Sequence, residues 1–165
     1  MKESRSAIIL KKDLNRILRR GNDLFSVGIV NNDIYKWNIL IFGPSDTLYE
    51  NGIFPAEMTF TNEYPNQPPK FKFTCKMWHP NIEINGNVCI SILHSGEDIY
   101  GYESITERWM PVRDPESVIV SIISLLSAPN IESPANVEAA QQLRDNPKIY
   151  ENKVREYVKN YCQYL

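Results

Sequence analysis

Trp78-His79-Pro80-Asn81-Ile82-Glu83-Ile84-Asn85-Gly86-Asn87-Val88-Cys89-Ile90 puts an amide side chain and a thiol eight residues apart, with Asn85-Gly86 between them. Asn-Gly is a strong turn signal, so Asn81 and Cys89 are expected on two arms of one tight loop. A thiol can form a thioester, and a nearby amide can stabilise the oxyanion that forms when the thioester is attacked. As a tripeptide, His79-Pro80-Asn81 is common by chance. The spacing to Cys89 and the sequence on both sides make it specific.

Working outward, the chain before this stretch reads as a helix and four strands. Ile8, Ile9, Leu14, Ile17 and Leu18 recur near helical spacing, predicting an amphipathic helix over 4–20 that stops at Gly21-Asn22-Asp23. Residues 25–30, 34–42, 53–60 and 70–74 read as strands, parted by Asn31-Asn32-Asp33 and Gly43-Pro44-Ser45-Asp46. Their short connections predict an antiparallel meander. After Cys89 the pattern turns helical. Asp114-Pro115 is an N-cap followed by proline, ahead of the nearly all-apolar Val118–Leu126, which should be a buried helix. Ser133-Pro134 and Asn146-Pro147 repeat that signal and predict helices near 134–144 and 147–162. The order helix, sheet, helices predicts an α+β fold in one domain.

Composition narrows the function. With 165 residues, 42% apolar and a net charge of −2, the chain has the makings of a globular core and not of a general nucleic-acid binder. Three cysteines, Cys75, Cys89 and Cys162, suit a reducing compartment better than a disulfide framework. No signal peptide is visible, and the longest mostly apolar run, Val118–Ala128, is too short to span a bilayer. These features point to a soluble protein of the cytosol or nucleus with no membrane anchor of its own.

Further motifs give the site its context. Tyr64-Pro65 is followed by Pro68-Pro69-Lys70, and later come Trp109-Met110-Pro111 and Leu125-Leu126-Ser127-Ala128-Pro129-Asn130. With the opening stretch, these resemble the ubiquitin-conjugating enzymes over about residues 5–160. The resemblance is strongest to the G-type subclass, in which an acidic insertion follows the active cysteine. Residues 94–107, with Glu97, Asp98, Glu103 and Glu107, look like that insertion.

The resemblance implies that Cys89 takes ubiquitin's C-terminus from the activating enzyme as a thioester. The chain then passes it to a lysine of a substrate or of another ubiquitin, with a RING-type ligase, on a path to protein degradation. ATP is used by the activating enzyme, so this chain is expected to need no cofactor and no metal. Asn81 is the family's candidate for the oxyanion or for holding the loop, and His79 and Pro80 are structural. Glu97 and Asp98 are the candidates for positioning the acceptor lysine, with His94 as a helper. Lys11, Lys12 and Arg16 on the first helix, and Met110, Pro111 and Val112 on the later loop, are expected to bind the activating enzyme and the ligase. The chain departs from the common pattern at Ala128, where many members have an aspartate that conditions the lysine, at Trp78 and at Asn66.

Four other readings compete. They are a silent relative that only binds ubiquitin or a partner, carriage of a ubiquitin-like modifier, a cysteine protease using His79, and a zinc domain built on Cys75, His79, Cys89 and His94.

Overall fold

The computed structural model describes residues 2–164, without the side chains of 163 and 164. Helix α1 spans Arg5–Arg20; the Ser4 side chain accepts from the Ala7 N–H at its start, and Gly21, at φ 61°, ends it. Leu10 and Ile17 are buried while the basic residues between them face solvent.

Strands β1 (Phe25–Val30), β2 (Asp33–Phe42), β3 (Gly52–Thr59) and β4 (Lys70–Phe73) form the expected antiparallel meander, each within a residue or so of the sequence reading. Alternation sets its buried face. Trp37, Ile39 and Ile41 of β2 stand opposite Met58, Ala56 and Phe54 of β3, and Met58 and Ala56 stand opposite Phe71 and Phe73 of β4. Helix α2 (Pro115–Ser127) adds Val118, Ile119, Ile122, Ile123 and Leu126 to the same core. Its start is a capping box, in which Asp114 Oδ1 accepts from the Ser117 N–H and Ser117 Oγ accepts from the Asp114 N–H. Burial of α2 is one-sided, because Val120 and Ser124 are exposed.

Helix α3 (Val137–Asp145) starts later than Ser133-Pro134 suggested, with Asn136 as its N-cap. The Ala135 and Asn136 N–H groups both donate to the Pro80 carbonyl, at 2.8 and 2.9 Å, so this segment lies along the His-Pro-Asn loop instead of coiling. Helix α4 (Pro147–Tyr161) follows the Asn146-Pro147 signal. Two features escaped the sequence reading. A short strand β5 (Gln163–Tyr164) pairs with the start of β3. Cys75 and Cys162, far apart in sequence, meet with their sulfurs 3.9 Å apart.

Candidate active site

The stretch 79–89 is a small hairpin hung from the edge of the sheet. Gly86 N–H donates to Glu83 carbonyl, Glu83 N–H to Asn87 carbonyl, and Phe73 N–H to Gly86 carbonyl, all within 2.8–2.9 Å. Gly86 has φ +96°, and a β-carbon there would stand 2.0 Å from the Phe73 oxygen, so only glycine fits both the turn and the close approach to β4. The two arms join where the Cys89 N–H donates to the Asn81 carbonyl at 2.9 Å, as the turn signal predicted.

His79 fixes the first arm. It is fully buried, its Nδ1 accepts from the Asn81 N–H at 2.9 Å, and its Nε2–H donates to the Leu125 carbonyl at 2.8 Å. That carbonyl lies in the last turn of α2, where the helix has no backbone donor to offer it. Burial pushes the imidazole down to about 4, partly offset by the Leu125 bond, so the ring is neutral at physiological pH. With both nitrogens engaged by backbone, His79 has none left to serve as a protease base or zinc ligand. Cys75 lies against Cys162, and among the described residues no cluster of three or more His, Cys, Asp or Glu side chains is arranged to hold a metal.

Asn81 is buried, and its carboxamide bonds the backbone of Asn130 in both directions. Nδ2 carries a second hydrogen beyond the one given to Asn130, so the side chain can hold the loop and still donate.

Asn81 and Cys89 line a cleft of about 360 Å³ that also takes in His94, Asp98, Glu103 and Glu107. Cys89 is half-buried. Burial first, and then the charges of Glu103 and Glu83, push its thiol up, so it rests protonated. Of the two predicted carboxylates, Asp98 lines the cleft and Glu97 does not; Glu97 is exposed. Asp98 accepts from the backbone N–H groups of Tyr100 and Glu103, which hold its carboxyl below the usual range.

The sequence reading gave no role to the pair that organises the insertion, Glu103 and Arg108. Arg108 is buried. Its guanidinium donates to the Ser95 and Gly96 carbonyls at 2.9 and 3.1 Å and to Glu103. Glu103 also accepts from Ser91 Oγ at 3.1 Å and from His94 Nδ1 at 2.7 Å. The neck closes where the Trp109 N–H donates to the His94 carbonyl at 2.9 Å. An acid and an arginine five apart in a loop follow no periodic rule, so spacing carried no signal of this.

On the outer surface, Lys11, Lys12 and Arg16 are exposed, and Arg16 lies 3.7 Å from both Asp13 and Asp114. Pro111 and Val112 are exposed and Met110 is half-buried. A larger groove of about 1010 Å³, between the 46–51 loop and α4, contains neither Cys89 nor Asn81. No helix among the described residues is long and apolar enough to cross a membrane.

Comparison with known proteins identifies the family. The family profile described as "Ubiquitin-conjugating enzyme" matches residues 9–158. The chain is 50% identical over 161 residues to Ubiquitin-conjugating enzyme E2 15 of Schizosaccharomyces pombe, covering 96% of both chains. It is 51% identical over 156 residues to Probable ubiquitin-conjugating enzyme E2 7 of Caenorhabditis elegans, covering 93% of this chain and 95% of the relative. It is 51% identical over 115 residues to Ubiquitin-conjugating enzyme E2 G2 of Homo sapiens, covering 69% of this chain and 70% of the relative.

Proposed function

Because the chain belongs to the ubiquitin-conjugating enzyme family, we propose that Cys89 is the residue that carries ubiquitin as a thioester and that Asn81 serves its discharge to lysine. The observation that carries this reading is the bond between the Cys89 N–H and the Asn81 carbonyl. It sets the backbones that carry the thiol and the amide side by side, and both residues line one cleft.

Loading exchanges one thioester for another, which is close to isoenergetic, so this chain needs no cofactor; ATP acts on the activating enzyme. When a lysine attacks, negative charge develops on the carbonyl oxygen. The free N–H of Asn81 is the donor offered to it, while the other N–H keeps the loop tied to Asn130. Asp98 lines the approach to Cys89 and serves to position the ammonium. Glu97 lies outside the cleft and is assigned the outer acceptor surface.

The exposed face of Lys11, Lys12 and Arg16 suits an acidic surface of the activating enzyme, and Met110, Pro111 and Val112 suit an apolar pocket of a RING-type ligase. Three free thiols suit the cytosol or nucleus. Incubation with ubiquitin, activating enzyme and ATP-Mg tests the reading. A reductant-sensitive adduct one ubiquitin heavier, absent from Cys89→Ala, is expected. An adduct that persists in Cys89→Ala overturns it.

A further inference from the structure

We propose that His94 takes the proton from the attacking lysine amine and that Glu103 is its positioning residue. This deepens, and rests on, the assignment of the thioester to Cys89. His94 lies five residues after Cys89 and lines the same cleft. Its Nδ1 meets Glu103 Oε1 at 2.7 Å. A carboxylate only accepts, so the proton of the neutral ring sits on Nδ1 and the lone pair is left on Nε2. Among the described residues Nε2 has no hydrogen-bond partner, and the side chain is 39% exposed, so a base is oriented yet reachable.

Glu103 is itself held. Arg108 and Ser91 Oγ both donate to it, and Arg108 is fixed by two backbone carbonyls. The contrast with His79 is direct, because that ring has both nitrogens occupied and this one has one free. The end of α2, where Ala128 stands exposed, supplies no carboxylate for the task. The acids that share the cleft with His94 are Asp98, Glu103 and Glu107, and Arg108 is bound to Glu103. Those acids attract the ammonium but favour its charged form, so an acceptor for its proton adds what they cannot supply.

The step balances without a co-reactant. The amine lone pair forms the C–N bond, and the C–S bond to Cys89 breaks. The N–H proton passes to His94 Nε2, and the imidazolium returns it to the departing thiolate. The products are an isopeptide amide, the free Cys89 thiol and neutral His94. Burial and the neighbouring carboxylates push the Cys89 thiol up, which makes the departing thiolate basic enough to reclaim the proton.

The test is single-turnover discharge of preloaded protein to free lysine, followed against pH. A reaction needing both free amine and neutral imidazole climbs with a log-rate slope near two at the acid end, easing to about one at higher pH. His94→Gln is expected to show a slope of about one throughout and to discharge about 100-fold more slowly at neutral pH. Glu103→Gln, which keeps an acceptor for Arg108 and Ser91, is expected to be slower than the native chain. The double variant is expected to be no slower than His94→Gln alone, because Glu103 acts through the ring. A native slope of one, or additive losses in the double variant, overturns the proposal. Absence of any thioester on Cys89 in the native chain would instead overturn the site reading, and the proposal with it.

Discussion

The carboxamide of Asn81 and the backbone of Asn130 bond each other reciprocally, Nδ2 donating to the Asn130 carbonyl at 2.7 Å and the Asn130 N–H donating to Oδ1 at 2.8 Å. One side chain thereby locks the cysteine hairpin to the segment that leaves α2. Asn81→Ala removes both bonds, at about 0.5–1.5 kcal/mol each, so it should lower stability by about 1–3 kcal/mol. It should also slow transfer to lysine about 100–1000-fold by removing the oxyanion donor. Thermal unfolding together with separate loading and discharge rates checks this. Equal losses in loading and discharge would leave Asn81 with the structural role alone.

His79 makes stability depend on acid. Its folded value, about 4, lies below the ordinary 6.5, so below 6.5 the unfolded chain takes up a proton that the folded chain refuses. The stability from this group is complete above 6.5 and is lost as pH falls towards 4, by about 3 kcal/mol. Denaturant unfolding of the native chain across that window should show the fall. A flat profile there contradicts the buried neutral ring.

The Cys89 thiol should be sluggish in the free protein. Burial and the charges of Glu103 and Glu83 hold it protonated, and the thiolate is the nucleophile. Alkylation of Cys89 by iodoacetamide at mildly alkaline pH should run slower than that of a free cysteine, and Glu83→Gln should speed it. A rate equal to the free thiol's in the native chain would contradict the shift.

Gly86 carries the turn. An alanine β-carbon would meet the Phe73 carbonyl at 2.0 Å while φ stays at +96°, so either the hairpin or β4 must shift. Gly86→Ala is expected to cost about 3 kcal/mol or more and to impair loading, read by thermal unfolding and by the adduct assay. Native stability in the variant would mean that the turn adapts.

The fold was largely readable in the sequence because its signals are local and periodic. Alternation along Trp37, Ile39 and Ile41 fixed the buried face of β2, and Asp114-Pro115 marked where α2 begins. Ser133-Pro134 misled because the Ala135 and Asn136 N–H groups donate to the distant Pro80 carbonyl, a tertiary contact with no local signal, and the cap falls on Asn136 instead. The pairing of β5 with β3 and the meeting of Cys75 with Cys162 join residues far apart in sequence and leave no pattern in either. At the site, the hairpin joining Asn81 to Cys89 was legible from Asn85-Gly86. The order within the insertion was not. The resemblance singles out Glu97 and Asp98 together, whereas the structure leaves Glu97 exposed, ties Asp98 to backbone N–H groups and holds half-buried Glu103 on Arg108.

The most direct test of the central claim is Cys89→Ser incubated with activating enzyme, ubiquitin and ATP-Mg. The account predicts an adduct one ubiquitin heavier that survives thiol reductant but is cleaved by alkali, as an oxyester on the new hydroxyl would be. A reductant-sensitive thioester that still forms in this variant would contradict the assignment of Cys89.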